Sequence, residues 1–192
     1  MHNPLSPETP ALILIDIQKA FDEPGYFGGE RNNPDAENNA RRLLVHWRRR
    51  EWPLFHIQHC SVMPGSPLRE GEPGNAFKEV VQPWDGELVI KKSVNSAFIG
   101  TDLRDCLAMA GIRQVVIAGL TTEHCVSTTA RMAGNFGFGV YVAADATAAF
   151  CKMGLQGESI PAETVWQVAL AELNGEFATV LPTDEVLRQF SR

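Results

Sequence analysis

Ala11-Leu12-Ile13-Leu14-Ile15-Asp16-Ile17 is apolar at every position but one, and the exception comes near its end. A strand with one face in water alternates apolar and polar residues. A run without alternation predicts a strand buried on both faces, as in a parallel sheet covered by helices. Working outward, further strands are predicted over residues 53–59, 88–92, 114–120, 139–145 and 178–181. Helical patterns fill the gaps. Residues 34–50 open with Pro34, which suits a first helical turn, and carry Ala40, Leu43, Leu44 and Trp47 at helical spacing. Residues 102–110 follow Thr101 as a cap and stop at Gly111. Further helices are expected from near Cys125 to Gly134, over 161–173 and over 184–190. Strands alternating with helices predict an α/β fold: a three-layer αβα domain whose six-stranded, mostly parallel sheet is doubly wound. One such domain accounts for all 192 residues.

Composition excludes several classes. Hydrophobic residues make up 44% and charged residues 21%, so the chain is not intrinsically disordered. Four scattered cysteines (Cys60, Cys106, Cys125, Cys151) do not make a disulfide scaffold. No apolar run has membrane-spanning length, and no basic segment precedes an apolar leader. The expectation is a cytoplasmic protein with reduced thiols. A formal net charge of −6 argues against nucleic acid as a partner. The expected partner is a small-molecule substrate.

In an open α/β sheet, ligands bind beyond the carboxyl ends of the strands. Two segments rich in Gly, Pro, Asn and Glu, residues 22–33 and 60–86, leave such ends and are candidate pocket walls. A dinucleotide site would need G-x-G-x-x-G directly after a strand. Here the first strand runs into Gln18-Lys19-Ala20-Phe21, and Gly134-Asn-Phe-Gly-Phe-Gly139 has the wrong spacing. A P-loop is also missing. Neither NAD nor ATP fits, and no cofactor is expected.

The polar residues at strand ends are more informative. Asp16 ends the first strand, Lys92 ends the third, and Cys125 follows the fourth at the expected start of a helix. Each has an ordinary structural reading: a turn carboxylate, a solvated lysine, a small core residue. Cys106, on an apolar helical stripe, is assigned to the core on that ground. At one edge of one sheet, however, a base, a cation and a nucleophile form a constellation. A thiol at a helix N-terminus feels the positive end of the helix dipole, and free N–H groups there can receive an oxyanion.

Three segments together resemble the isochorismatase-like cysteine hydrolases, a family that includes nicotinamidases and N-carbamoylsarcosine amidohydrolase. Residues 11–21, ending Asp16-Ile-Gln-Lys-Ala-Phe21, look like that family's D-x-Q-x-x-F strand motif. Lys92-Ser-Val-Asn-Ser-Ala-Phe-Ile-Gly-Thr-Asp-Leu103 resembles K-x-x-x-S-A-F-x-G-T-x-L, and Gly119-Leu-Thr-Thr-Glu-His-Cys-Val126 resembles G-x-x-T-x-x-C-V. The resemblance covers roughly residues 10 to 182. It implies a triad of Asp16, Lys92 and Cys125, with Lys92 preferred to Lys91 for its distance from Ser96-Ala97-Phe98. It also implies a cis peptide between Leu120 and Thr121, which would bring the N–H groups of Thr121 and Cys125 together as an oxyanion hole. The implied reaction is acyl transfer from a small amide, carbamoyl or related compound to the thiol, then hydrolysis of the thioester. An isolated thiol near ~8.5 and a carboxylate near ~3.9 lie about 4.6 units apart, about 6 kcal/mol against proton transfer. Lys92 and the helix end would stabilise the thiolate, and burial would disfavour the Asp16 carboxylate. Lys92 also favours that carboxylate, so its net effect depends on geometry. Homo-oligomers, dimers or tetramers, are implied by the relatives.

Nicotinamidases hold a metal through an Asp-x-His element after the second strand. Here that region reads His56-Ile-Gln-His-Cys-Ser61. Positions three apart on a strand face opposite ways, so His56 and His59 cannot chelate one ion without a bend; they are read as structural or pocket-lining, and no metal is expected. His124 is expected to point away from the thiol. Phe21, Trp84 and Phe98 are candidate substrate-lining aromatics, each equally readable as packing. Three other activities stay open: vinyl ether hydrolysis of the isochorismatase type, thiol redox sensing, and binding without catalysis. Cys125 favours amide chemistry over the first. The second lacks a C-x-x-C partner.

Overall fold

The computed structural model describes residues 9–191. Residues 1–8 and 192, part of the single domain expected over 1–192, lie outside the described residues. Six strands form the main sheet: β1 (Ala11–Ile15), β2 (Leu54–His59), β3 (Leu88–Lys92), β4 (Gln114–Leu120), β5 (Gly139–Ala148) and β8 (Thr179–Leu181). Their order is β3-β2-β1-β4-β5-β8, and every neighbouring pair is parallel. The chain moves outward from β1 through β2 to β3, then crosses to β4 on the other side of β1. The switch point therefore lies between β1 and β4, where doubly wound sheets bind ligands.

The unalternating first strand has the burial its composition requires. Its side chains separate by parity. Ala11, Ile13 and Ile15 face a core that includes Leu103 and Leu107 of α3 (Leu103–Met109), Ala130 and Ala133 of α4 (Ser127–Asn135), and Leu170 and Leu173 of α5 (Ala162–Leu173). Leu12 and Leu14 face Ala40, Leu43, Leu44 and Trp47 of α2 (Ala36–Arg49) and Val186 of α6 (Thr183–Gln189). Trp47 is fully buried and donates its indole N–H to Pro10 O at 2.9 Å, so a large ring enters the core without an orphaned donor. No helix among the described residues is long and apolar enough to cross a membrane.

Two departures from the expected elements matter for the site. The loop over 22–33 contains a short helix, α1 (Pro24–Phe27), which ends on Gly28. After β5 the chain forms a hairpin of β6 (Lys152–Met153) and β7 (Ser159–Ile160), too short to leave a period-two pattern.

Both loops are tied to α2 through one carboxylate. Glu37 accepts hydrogen bonds from Arg31 at 2.7 and 2.5 Å and from Lys78 at 2.7 Å. Burial alone would push the Glu37 carboxyl up, but the hydrogen bonds and charges of Arg31 and Lys78 outweigh it and hold it at about 2. A folded value below the unfolded one means stability that is complete above pH 4.5 and is lost as pH falls towards 2. Glu87, also held at about 2, adds to the same window: burial opposes ionisation there, and Arg48, the Trp84 N–H and His56 overcome it. Urea titrations between those two pH values should show falling stability, and Glu37→Gln should flatten part of the fall. An unchanged pH slope in the variant would contradict this anchoring.

Gly119 brings β4 against β1. Its φ is +138°, and a Cβ there would lie 2.0 Å from Ile15 O and 2.7 Å from Ile15 N. No flexible side chain can give way, because the clash is with backbone. Gly119→Ala is expected to cost about 3 kcal/mol or more in urea unfolding.

Candidate active site

The site stands on the carboxyl ends of β1, β3 and β4. Asp16 leaves β1 with φ +51°, a left-handed conformation uncommon for a residue with a side chain. Its N–H still donates to Ile57 O at 3.0 Å, so the residue remains part of the sheet's edge while the chain turns away. Lys92 is the last residue of β3, and its side chain is fully buried. Lys91, one place earlier, is exposed and pairs with Glu70 on the surface. Cys125 lies in the π-helical turn Thr122–Val126 that leads from β4 into α4. The Leu120–Thr121 peptide bond at the start of that turn is cis.

These elements bring three side chains into contact. Lys92 Nζ donates to Asp16 Oδ2 at 2.6 Å and to Cys125 Sγ at 3.3 Å. A third partner is His59 Nδ1, 3.0 Å from the same nitrogen. Asp16 is 1% exposed, and its Oδ1 is buried without a protein partner among the described residues. The two carboxylate oxygens therefore have different surroundings. One is committed to the ammonium, and the other is free to take a proton.

Electrostatics couples the group. The Cys125 thiol is pushed far up, first by burial and then by the Asp16 charge; the Lys92 ammonium opposes both. The geometry thus decides the balance that the sequence left open: Lys92 stabilises the thiolate, but burial and the Asp16 charge outweigh it. Ionising Cys125 beside a charged Asp16 would place two anions against one ammonium in a water-poor site. Moving the thiol proton onto Asp16 instead leaves the net charge of the three groups unchanged, so burial does not oppose it as it opposes loss of the proton to solvent. Lys92 touches both ends of that transfer, stabilising the charge before and after.

The triad opens into a cavity of about 360 Å³. Phe21, Phe27 and Phe150 form an aromatic wall, with ring centroids 4.5 Å apart for Phe21–Phe27 and 5.3 Å for Phe27–Phe150. Both sequence-predicted loops contribute, through Tyr26 and Phe27 on one side and Ser66 and Leu68 on the other. Asn95 and Thr121 stand near the sulfur, with Asn95 Oδ1 3.8 Å from Sγ. At the mouth, Lys152 pairs with Glu123 at 2.8 Å beside a half-exposed His124.

Of the three aromatic candidates, only Phe21 lines this cavity. Trp84 lies in a separate cleft with Arg48 and Glu87, its ring 3.9 Å from the Arg48 guanidinium carbon. The reason is directional: Trp84 precedes β3, and a residue entering a parallel strand lies at the edge opposite the carboxyl ends. Phe98 turns inward and packs on Phe136 at 5.3 Å and Phe138 at 6.4 Å. His124, expected to point away, is part of the cavity wall. Tyr26, Phe27, Phe150 and Lys152 are additions from the structure; the hairpin that carries Lys152 has no pattern that could have indicated it.

The histidines of β2 separate as their spacing requires. His56 is fully buried against Glu87 at 2.9 Å, with burial pulling its basicity down against the raising effect of that carboxylate. His59 faces the triad. One donor atom each from Asp16, His59 and Cys125 lies within 4.8 Å of the others, a spacing that could hold a metal ion. The Lys92 ammonium contacts all three residues, so this set is a cradle for a lysine cation.

The isochorismatase domain family matches residues 10–185. The isochorismatase family protein YrdC of Bacillus subtilis (strain 168) is 48% identical over 183 residues, covering 95% of this chain and 97% of that protein. The maleamate amidohydrolase of Pseudomonas putida is 31% identical over 143 residues, 67% of each chain. Among solved structures, an isochorismatase-family protein from Chromobacterium violaceum superposes with a TM-score of 0.90 and 44% identity, covering 98% of this chain and 97% of that one.

Proposed function

The chain belongs to the isochorismatase family of hydrolases, and from that premise we propose that it cleaves a C–N bond of a small amide or carbamoyl compound through a thioester on Cys125. The observation that carries the proposal is the contact of Lys92 with both Asp16 and Cys125 on the floor of an open cavity. Asp16 Oδ1 takes the thiol proton as Sγ attacks the carbonyl carbon. The new oxyanion is received by the backbone N–H groups of Thr121 and Cys125. Asp16 returns the proton to nitrogen as the C–N bond breaks and the amine leaves. Water then attacks the thioester carbonyl, with Asp16 again taking a proton; as the C–S bond breaks, Asp16 returns that proton to Sγ and the acid departs, which restores the thiol and the carboxylate. No cofactor enters these steps.

The cavity supports a small substrate, since about 360 Å³ lies at the low end of ligand pockets. Its aromatic wall suits a flat or apolar group beside the scissile carbonyl. Self-association belongs to the same reading and is supported by exposed apolar side chains, Met63, Met153 and Leu155, on the segments that carry the cavity residues Ser66 and Lys152.

The test is intact-mass analysis during turnover of a panel of primary amides and N-carbamoyl compounds, quenched in acid. A substrate should add the mass of its acyl group to the protein, at Cys125, and Cys125→Ala should show neither adduct nor turnover. Hydrolysis of a panel compound with full rate in Cys125→Ala would contradict the proposal.

A further inference from the structure

Among the described residues, His59 is the one side chain at hydrogen-bond distance from the Lys92 ammonium that the reaction above leaves without a task. Its backbone is held with unusual completeness. Its N–H donates to Gln18 Oε1 at 2.8 Å, and its carbonyl accepts from Gln18 Nε2 at 3.1 Å and Asn75 Nδ2 at 2.8 Å. Gln18 and Asn75 are themselves buried. A clamp of this kind fixes where the imidazole stands.

The ring's two nitrogens then have different roles. Nδ1 is 3.0 Å from Lys92 Nζ. An ammonium carries donors only, so Nδ1 must accept, and the ring proton must be on Nε2. Burial first, and then the Lys92 charge, favour the neutral ring; only Asp16 opposes them. Nε2 has no protein partner among the described residues, yet it is not sealed in: the side chain is 13% exposed and lines the cavity. A neutral Nε2–H on a side chain that lines the cavity can donate one hydrogen bond and accept none.

We propose that His59 is a substrate-binding residue whose Nε2–H, fixed in that tautomer by Lys92, selects compounds carrying a hydrogen-bond acceptor next to the scissile carbonyl. The matching class is amides or ureides with a second carbonyl one or two atoms away. An unsubstituted alkyl amide would leave that donor without a partner and bind worse. The inference rests on the amide-hydrolase reading for its substrate class, but the tautomer does not.

Two measurements separate these layers. The first is the imidazole nitrogen spectrum of nitrogen-15 histidine-labelled wild-type protein, with His59 assigned by its loss in His59→Asn. An Nε2–H tautomer is expected at neutral pH. An Nδ1–H tautomer or an imidazolium would overturn the proposal whatever the protein hydrolyses. The second compares malonamide with butyramide, two neutral amides of similar size of which only the first has a second carbonyl. In the non-turning-over Cys125→Ser protein, with binding followed at the Thr121 amide, malonamide should bind at least ten-fold more tightly. His59→Asn, whose side-chain oxygen can replace Nδ1 as the acceptor for Lys92 but does not reach the Nε2 position, should erase that preference. Equal affinities in the first protein, no binding of either amide, or a ratio that survives in His59→Asn would overturn it. The amide-hydrolase reading fails on other grounds, namely turnover without Cys125.

Discussion

Cys125→Ala should lower kcat/KM for any amide the protein hydrolyses by at least about four orders of magnitude, because loss of a nucleophile leaves only binding and oxyanion stabilisation. Cys125→Ser should be nearly as impaired. A serine hydroxyl is harder to ionise than a thiol, and the site is arranged around proton transfer to a carboxylate. Neither change should unfold the protein. Cys125 is 8% exposed and small, so truncation to alanine costs about 1 kcal/mol in urea unfolding. A large activity loss with a preserved transition midpoint separates chemistry from structure. Comparable losses in both would mean that the thiol is mainly a packing group.

Lys92→Met should fail in both respects. Lys92 and Asp16 form a buried pair at 2.6 Å, with side chains 0% and 1% exposed. Removing the ammonium leaves a buried carboxylate without a counterion, a loss of about 3–5 kcal/mol. Activity should fall by about three orders of magnitude, since neither the thiolate nor the ionised base would have a cation beside it. Asp16→Asn should cost activity on the same scale but less stability, because Cys125 can then supply the negative charge that Lys92 requires. The double change Asp16→Asn with Lys92→Met should recover stability relative to Lys92→Met alone while remaining inactive. Thermal unfolding and steady-state rates of the three variants check this. A stable, active Lys92→Met protein would remove the lysine from the account.

The legibility of the fold follows from the kind of signal each element leaves. The run from Ala11 to Ile15 is buried on both faces, and only an unalternating sequence can satisfy that. The same logic gave β4, buried at six of its seven positions. Short pieces left no period to read. The hairpin of β6 and β7 has two residues on each side, and α1 is a single turn. The site divides along similar lines. That Asp16, Lys92 and Cys125 meet is legible because strand ends in a parallel sheet share an edge, which is a topological fact. Trp84 obeys the converse: it enters β3, and residues entering a strand belong to the opposite edge. Phe98 shows a different difficulty. Whether an aromatic ring after a strand lines a cavity or fills the core depends on its neighbours, here Phe136 and Phe138, and those come from distant sequence. The contact of His59 with Lys92 is illegible for the same reason, since it depends on Lys92 lying between Asp16, Cys125 and His59.

One negative charge, shared between Asp16 and Cys125 next to Lys92, underlies the proposed chemistry. The direct measurement is the ultraviolet titration of the Cys125 thiolate, obtained as the difference from Cys125→Ser, in wild-type protein and in Asp16→Asn. Burial and Asp16 hold the thiol up, and Lys92 alone pulls it down. Removing the carboxylate charge should therefore lower the thiol midpoint by about two units, giving an enzyme with more thiolate and almost no amide turnover. A midpoint that stays in place or rises in Asp16→Asn would contradict the shared charge and the proton transfer built on it.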